Sequence, residues 1–359
     1  MEPKVSLVIP CYNVEKYVSK CLDSALEQTL ADIEIICVND GSTDGTLSIL
    51  RKYESSDGRI KVIDKPNEGY GATMNKGFQA ATGEFLGILE SDDFLDSDAL
   101  EYLYNIAVSN NAEVVKANFY YYWSNPEEQN YNCDLIDEEE SEKIIDPHIV
   151  PHIFFVKPSI WSAVYRRTFI EENKITFNET PGASYQDASF NFKVWLYSHR
   201  VWLTRKAFLH YRQDNESSSV NSPGKVYCVC DEYKVMREAL DSYPNRNEAE
   251  KLIPILVKMK FDTYMWNYER LSPKLGREFL NTMRDEFVLH IDSGEIDWSL
   301  FDQAKRKRLE SIIEDPQFFH MTHQGAAKES DKLATLKRFY TQGGISYVGK
   351  LIKFKSQTR

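Results

Sequence analysis

No stretch of the 359 residues comes near the roughly 18 consecutive apolar positions that a membrane-crossing helix needs. Positive charge is in the minority: 43 Lys and Arg stand against 55 Asp and Glu, a formal net charge of −12. That balance argues against a nucleic-acid binder, whose affinity rests on Lys and Arg against phosphate. There are six cysteines, Cys11, Cys21, Cys37, Cys133, Cys228 and Cys230. None has the paired spacing of a zinc site, and Cys228-Val229-Cys230 is too tight for one. No basic, then apolar, then small-residue leader opens the chain, so a reducing cytoplasm is the expected compartment, with the cysteines as packing residues. No repeat recurs at about 20–50 residues. The first strand is not followed by Gly-x-Gly-x-x-Gly, which argues against a dinucleotide-dependent dehydrogenase.

What is present is enough apolar surface for a real core: 42% hydrophobic residues, 13% aromatic. The length predicts one large domain and a smaller one. Val5 to Ile9 is a short β-branched run stopped by Pro10, a buried strand. Apolar spacing over Val14 to Gln28 predicts a helix. Strands are predicted again at Ile33 to Val38, Ile60 to Ile63, Phe85 to Leu89 and Glu113 to Phe119. Helices are predicted between them, ending near Tyr53, over Tyr70 to Ala81 and over Ser97 to Asn110. This alternation implies an α/β fold with a mainly parallel, doubly wound, Rossmann-like sheet whose ligand site lies at the strand C-termini. Asp134 to Glu142, with six acidic residues in nine, reads as a solvated loop. Further on, a helix is predicted over Ala188 to Tyr197 and a strand over Val201 to Tyr211. From about Val226 only helices are expected: Val226 to Leu240, Glu248 to Tyr268, Gly276 to Leu289 and Asp297 to Ile313.

The fourth strand runs into Leu89-Glu90-Ser91-Asp92-Asp93. Three carboxylates in four positions at a strand end repel one another unless a cation lies between them, and a hard divalent ion takes oxygen ligands of this kind. The plainer reading is a solvated turn capping the next helix. Asp187, in the turn Pro181 to Asp187, suits a helix N-cap or a general base.

These segments together resemble glycosyltransferase family 2, the inverting nucleotide-sugar transferases of GT-A fold. The resemblance runs from Val5-Ser6-Leu7-Val8-Ile9-Pro10-Cys11-Tyr12-Asn13 through Val38-Asn39-Asp40-Gly41-Ser42-Thr43-Asp44 to Asn67-Glu68-Gly69 and Asn75-Lys76-Gly77. It continues at Glu90-Ser91-Asp92-Asp93, Tyr185-Gln186-Asp187, and His210-Tyr211-Arg212 with Ser217 to Ser219. It covers residues 4 to 222, implying a catalytic domain over 1–222 and a helical C-terminal region over 223–359. Two positions depart from the family pattern: Glu90 replaces the usual first Asp, and Met74 stands where an Arg before Asn75 is common.

The resemblance implies a role for each matching residue. Asp187 is the expected base that takes the acceptor proton. Pro10, Tyr12, Asn13, Asp40, Asn67, Asn75, Ser91, Asp92 and Arg212 are the expected nucleotide site. Tyr12 would stack on the base, Asp40 accept its ring N–H, and Arg212 meet the diphosphate. Asp92, Asp93 and His210 are the expected ligands of Mn²⁺ or Mg²⁺, with one of the two aspartates reaching the ribose instead. Apart from the resemblance, Trp161 and Tyr185 suit an acceptor site, since sugar faces pack on aromatic rings, and Trp161 equally suits a place in the core. The expected partners are a nucleotide-sugar, with a UDP-sugar favoured, and a glycan, lipid-linked or protein acceptor. Asp331 to Arg359 carries seven basic residues against one acidic. With Tyr347, Leu351, Ile352 and Phe354 interleaved, it suits peripheral contact with an anionic membrane face, a solvated terminal helix or a homo-oligomer contact. A binding or scaffolding protein without catalysis is the alternative, favoured by Met74 and Glu90 and opposed by Asp187 and His210-x-Arg212.

Overall fold

The computed structural model describes residues 3–215, 226–325, 336, 340 and 344–352; Ser217 to Ser219 and Phe354 lie outside them. The chain divides into two compact units, residues 1–223 with 231–242, and residues 224–230 with 243–359.

The first unit begins β1 (Val5–Cys11), α1 (Val18–Leu26), β2 (Ile33–Asp40), α2 (Thr46–Ser56), β3 (Ile60–Lys65), α3 (Tyr70–Ala80) and β4 (Phe85–Ile88). It continues with β5 (Phe94–Leu95), α4 (Ala99–Ser109), β6 (Val114–Trp123), β7 (Gln129–Cys133), β8 (Lys143–Ile145), β9 (Ala163–Arg166), α5 (Arg167–Glu172), α6 (Gln186–Tyr197) and β10 (Val201–Arg212). Among the described residues these ten strands form one sheet, ordered β3-β2-β1-β4-β9-β6-β10-β5, with β7 on β6 and β8 on β10. β1 runs parallel to β2 and β4, β2 to β3, and β6 to β10. β9 is antiparallel to both of its neighbours, β4 and β6, so those two point the same way. Every residue of β1 and β4 is buried. This is the covered-on-both-faces state that continuous apolar runs encode, each buried aliphatic side chain contributing about 1.5–3 kcal/mol.

The expected parallel sheet is therefore present, with antiparallel strands added that the sequence pattern did not separate. The acidic run leads into β8, and β9 lies within Ile160 to Ile175, a stretch that carries Trp161, Tyr165, Arg166, Arg167 and Phe169. The helix expected from Val14 starts at Val18, and the Val14 N–H before it donates to Thr46 Oγ1 at 2.8 Å.

In the second unit, α7 (Cys228–Ser242) contributes its first three residues, the remainder belonging to the first unit. There follow α8 (Arg246–Arg270), α9 (Pro273–Asp292), α10 (Gln303–Glu314) and α11 (Pro316–His320). The single helix expected over Asp297 to Ile313 is instead a short 3₁₀ turn, Trp298–Leu300, and then α10. Asp302 caps α10 by accepting from the Lys305 N–H at 2.8 Å. The core of this unit holds Phe261, Tyr264, Phe279 and Phe287. Leu351 of the basic tail is buried against Phe318 and Met321, with Tyr347 packed on them. The Tyr347 hydroxyl also donates to Asp315 Oδ1 at 2.9 Å. Two of the tail residues expected at a membrane face are thus used inside the unit, whereas Ile352 is 61% exposed. Among the described residues no helix is long and apolar enough to cross a membrane.

Candidate active site

Parallel order brings the C-terminal ends of β1, β2, β3, β4, β6 and β10 to one end of the sheet, and the sequence-derived candidates follow those ends. Pro10 is buried in β1, and Tyr12 just beyond it is 51% exposed, a ring available for stacking. Asn13 takes a positive φ of 53°. It knits two loops together: its N–H donates to Ser42 Oγ at 3.0 Å, and its Oδ1 accepts from the Thr43 N–H at 2.8 Å. Asp40 ends β2. It accepts from Lys65 Nζ at 2.5 Å, from the Glu68 N–H at 2.9 Å and from the Gly69 N–H at 3.0 Å. A carboxylate offers about four lone-pair sites, so three shape the loop after β3 and one remains for a ring N–H. Asn67 is exposed in that same loop.

The turn after β4 is the electrostatic centre. Glu90 Oε1 accepts from the Tyr70 hydroxyl at 2.6 Å. Burial, with the charges of Asp92 and Asp187, pushes the Glu90 carboxyl up to about 8. Asp93 is 1% exposed. Its Oδ1 accepts from the Arg212 backbone N–H at 2.8 Å, while its Oδ2 is buried with no hydrogen-bond partner. Burial first, then the Asp92 charge, raises the Asp93 carboxyl well above its usual range. Asp92 is half-buried and accepts from Asn215 Nδ2 at 2.7 Å. Ser91 is buried between them. Three mutually repelling carboxyls, one with an orphaned oxygen, supply hard oxygens of the kind a divalent cation takes, without already converging to within 4.8 Å of one another. An uncompensated buried carboxylate oxygen is otherwise costly.

Three further candidates make hydrogen bonds within the protein. The ring nitrogens of His210 are taken up by Asn130 Oδ1 at 2.7 Å and Asp96 Oδ1 at 3.0 Å, and the ring stacks on Phe94 at 4.3 Å. It does not join Asp92 and Asp93 in a ligand cluster; the described residues that do cluster so are Asp146, His148 and His199, and Asp137, Glu140 and His152. Arg212 is 7% exposed. Its guanidinium donates to the Asp92 carbonyl at 2.9 Å, to Ser124 Oγ at 3.1 Å and to Asp214 Oδ1 at 3.3 Å. It braces the carboxylate turn from β10 rather than reaching outward. The Asn75 amide is used on both sides: Nδ2 donates to the Phe177 carbonyl at 3.0 Å and to Glu179 at 2.8 Å, and Oδ1 accepts from the Phe177 N–H at 2.8 Å. Met74 is fully buried in α3.

Asn75 belongs to a clamp that fixes the loop before Asp187. The Tyr70 N–H donates to the Gly182 carbonyl at 3.0 Å. At Gly71 an added Cβ would lie 2.0 Å from the Asn178 carbonyl oxygen, so only glycine admits this backbone approach. Gln186 closes the loop through Thr180 Oγ1 at 2.8 Å and the Gly182 carbonyl at 3.1 Å. Tyr185 takes the left-handed conformation, φ 59°, a strained setting for a large side chain. Asp187 then sits half-buried in the first turn of α6. Its Oδ1 accepts from the Ala188 N–H at 3.0 Å. Burial raises its carboxyl to about 6, with Lys157 opposing the rise.

Beside Asp187 lie residues that no sequence motif marked. Tyr70 was hidden as an ordinary helix-start aromatic, and Lys157 carries no signal at all. Trp161, which was expected here, stacks on Tyr211 at 4.9 Å and meets Phe119 edge-on at 4.6 Å.

Comparison with known proteins agrees with this architecture. The family model for glycosyl transferase family 2 matches residues 6–210. The chain is 33% identical over 222 residues to the uncharacterized glycosyltransferase EpsJ of Bacillus subtilis (strain 168), covering 60% of this chain and 63% of that one. It is 33% identical over 213 residues to the putative glycosyltransferase EpsH of the same strain, covering 58% and 61%. The matched part thus spans about three-fifths of these relatives. S. aureus TarS 1-349, solved in complex with UDP-GlcNAc, superposes with a TM-score of 0.72 at 18% identity over 90% of this chain and 92% of that one. The fold is the GT-A architecture with a helical C-terminal region. The chain belongs to glycosyl transferase family 2.

Proposed function

We propose that this protein is an inverting glycosyltransferase that moves a sugar from a UDP-sugar to a hydroxyl of a glycan, lipid-linked or protein-linked acceptor. The observation that carries the reading is the buried, partnerless Asp93 Oδ2 in a turn of three carboxyls, of which Glu90 also feels the charge of Asp187. Asp92 and Asp93 would hold Mn²⁺ or Mg²⁺, with Glu90 beside them. The ion supplies charge stabilisation for the departing diphosphate.

Asp187 accepts the proton of the acceptor hydroxyl as that oxygen attacks the anomeric carbon. The bond from that carbon to the diphosphate breaks on the opposite face, which inverts the centre and releases UDP. A carboxyl raised to about 6 is a stronger base than a free one and is still ionised at neutral pH. Tyr12 and Asp40 serve the nucleotide base, and Asn13, Asn67, Pro10 and Ser91 shape the pocket around it. Trp161 and Tyr185 face the acceptor. The catalytic domain is residues 1–222, and the relatives' standing as glycosyltransferases supports assigning transfer to it.

The test is UDP release from a panel of UDP-sugars with Mn²⁺, with and without EDTA. Slow hydrolysis of one sugar that EDTA abolishes supports the reading. An absence of both release and UDP binding contradicts it.

A further inference from the structure

Lys157 precedes the 3₁₀ turn Ile160–Ser162, which carries Trp161. Its ammonium lies over three rings at once, 4.8 Å from the Tyr211 centroid and 5.2 Å from those of Phe119 and Tyr121. The residue is exposed. The described structure gives its ammonium no hydrogen bond and no ion pair; the charged groups it feels at longer range are Asp187 and Asp93, which attract it, and Lys116, which repels it.

The segment is held rigidly from beneath. Lys116 of β6, fully buried, donates to the Ser159 carbonyl at 2.5 Å, to Ser159 Oγ at 2.7 Å and to Ser162 Oγ at 3.0 Å. The Tyr165 hydroxyl donates to the Ile160 carbonyl at 2.7 Å. Three contacts of one buried lysine amine thus fix a short turn, which brings Lys157 and Trp161 to the same aromatic surface.

Such a cation constrains what can bind there. An acceptor laid on the Trp161 and Tyr211 rings would strip water from the Lys157 ammonium. A neutral sugar returns hydrogen bonds but no opposite charge, so its docking leaves the desolvated cation uncompensated. A group with anionic oxygens returns a charge-assisted bond to the same ammonium. The aromatic faces hold the cation in place by cation–π attraction without neutralising it.

We propose that Lys157 reads a negative charge on the acceptor, a phosphate or a carboxylate close to the hydroxyl that is glycosylated. This deepens the glycosyltransferase reading and rests on it. Lys157 is a specificity determinant here, not a proton carrier.

The test uses the full chain saturated with UDP and Mn²⁺. Binding of glucose is compared with glucose 6-phosphate, and binding of galactose with galacturonic acid, by saturation-transfer NMR titration. The expected result is at least about tenfold tighter binding of one or both anionic members, lost in Lys157→Met and retained in Lys157→Arg. The phosphate and carboxylate arms distinguish the two sources of charge. No preference in the wild type, or the same preference in Lys157→Met, overturns the proposal. Loss of UDP binding in Lys157→Met also overturns it, because the lysine would then serve the donor. A wild-type chain that binds no UDP instead defeats the transferase reading, so the two failures are distinct.

Discussion

The Tyr70 hydroxyl donates to Glu90 Oε1 at 2.6 Å, which links the first turn of α3 to the carboxylate turn after β4. The same Tyr70 gives its backbone N–H to the Gly182 carbonyl in the loop before Asp187. One residue therefore ties the candidate cation site to the candidate base. Tyr70→Phe leaves the packing but removes the donor that favours ionised Glu90. The expected outcome is weaker Mn²⁺ binding at pH 7, by about three- to tenfold, with about 1 kcal/mol of stability lost. Calorimetric Mn²⁺ titration and urea unfolding measure the two effects.

Catalysis should follow the ionisation of Asp187. Its carboxyl titrates near 6, so kcat/KM is expected to be flat at neutral pH and to fall about tenfold per pH unit once the pH drops below about 6. Asp187→Asn should lower the rate by about 10²–10⁴-fold and remove this limb. A pH–rate profile of both proteins measures it.

Stability should respond to pH in the opposite sense from a salt-bridged carboxylate. Glu90 is raised from 4.5 to about 8 in the folded protein, so the folded state holds a proton that the unfolded chain has already released. Without a divalent cation, stability is expected to fall as pH rises from about 4.5 towards about 8. A cation binds the ionised site and offsets this, adding about 2.7 kcal/mol at a hundredfold excess over Kd. The rise in Tm on adding Mn²⁺ should therefore be larger at pH 8 than at pH 6.

Gly71→Ala tests the clamp. Its Cβ would lie 2.0 Å from the Asn178 carbonyl oxygen, so α3 and the loop before Asp187 must separate. A loss of about 1–3 kcal/mol is expected, with a fall in kcat that exceeds the change in UDP affinity. Steady-state kinetics and UDP calorimetry separate the two.

The sheet was legible where strands are buried on both faces, because Val5–Ile9, Ile33–Val38 and Phe85–Ile88 read as apolar runs of strand length in which Ser6 and Glu34 are the polar interruptions. The strands that were missed are short or half-solvated: β7 is Gln129-Asn-Tyr-Asn-Cys133, and β9 is only four residues long. Their pairing is decided by tertiary contact, not by local pattern. At the site, motif order marked the carboxylates and Asp187 but could not say which polar atoms the protein itself consumes. Asn75 and His210 look like ligand-binding residues in a string of letters. In space their polar atoms are bonded to Phe177 and Glu179, and to Asn130 and Asp96. Lys157 was invisible for the opposite reason: three aromatic rings from β6 and β10 give it meaning, and none is near it in sequence.

The central claim is that Asp187 and the carboxylate turn act together on a nucleotide-sugar. The most direct measurement is Mn²⁺-dependent UDP release from UDP-sugars by the wild type, Asp93→Asn and Asp187→Asn, with UDP affinity measured on each. The account predicts release by the wild type, loss of Mn²⁺ dependence and of most turnover in Asp93→Asn, and loss of turnover with UDP binding intact in Asp187→Asn. Undiminished release by Asp187→Asn, or by Asp93→Asn with Mn²⁺ dependence unchanged, would contradict it.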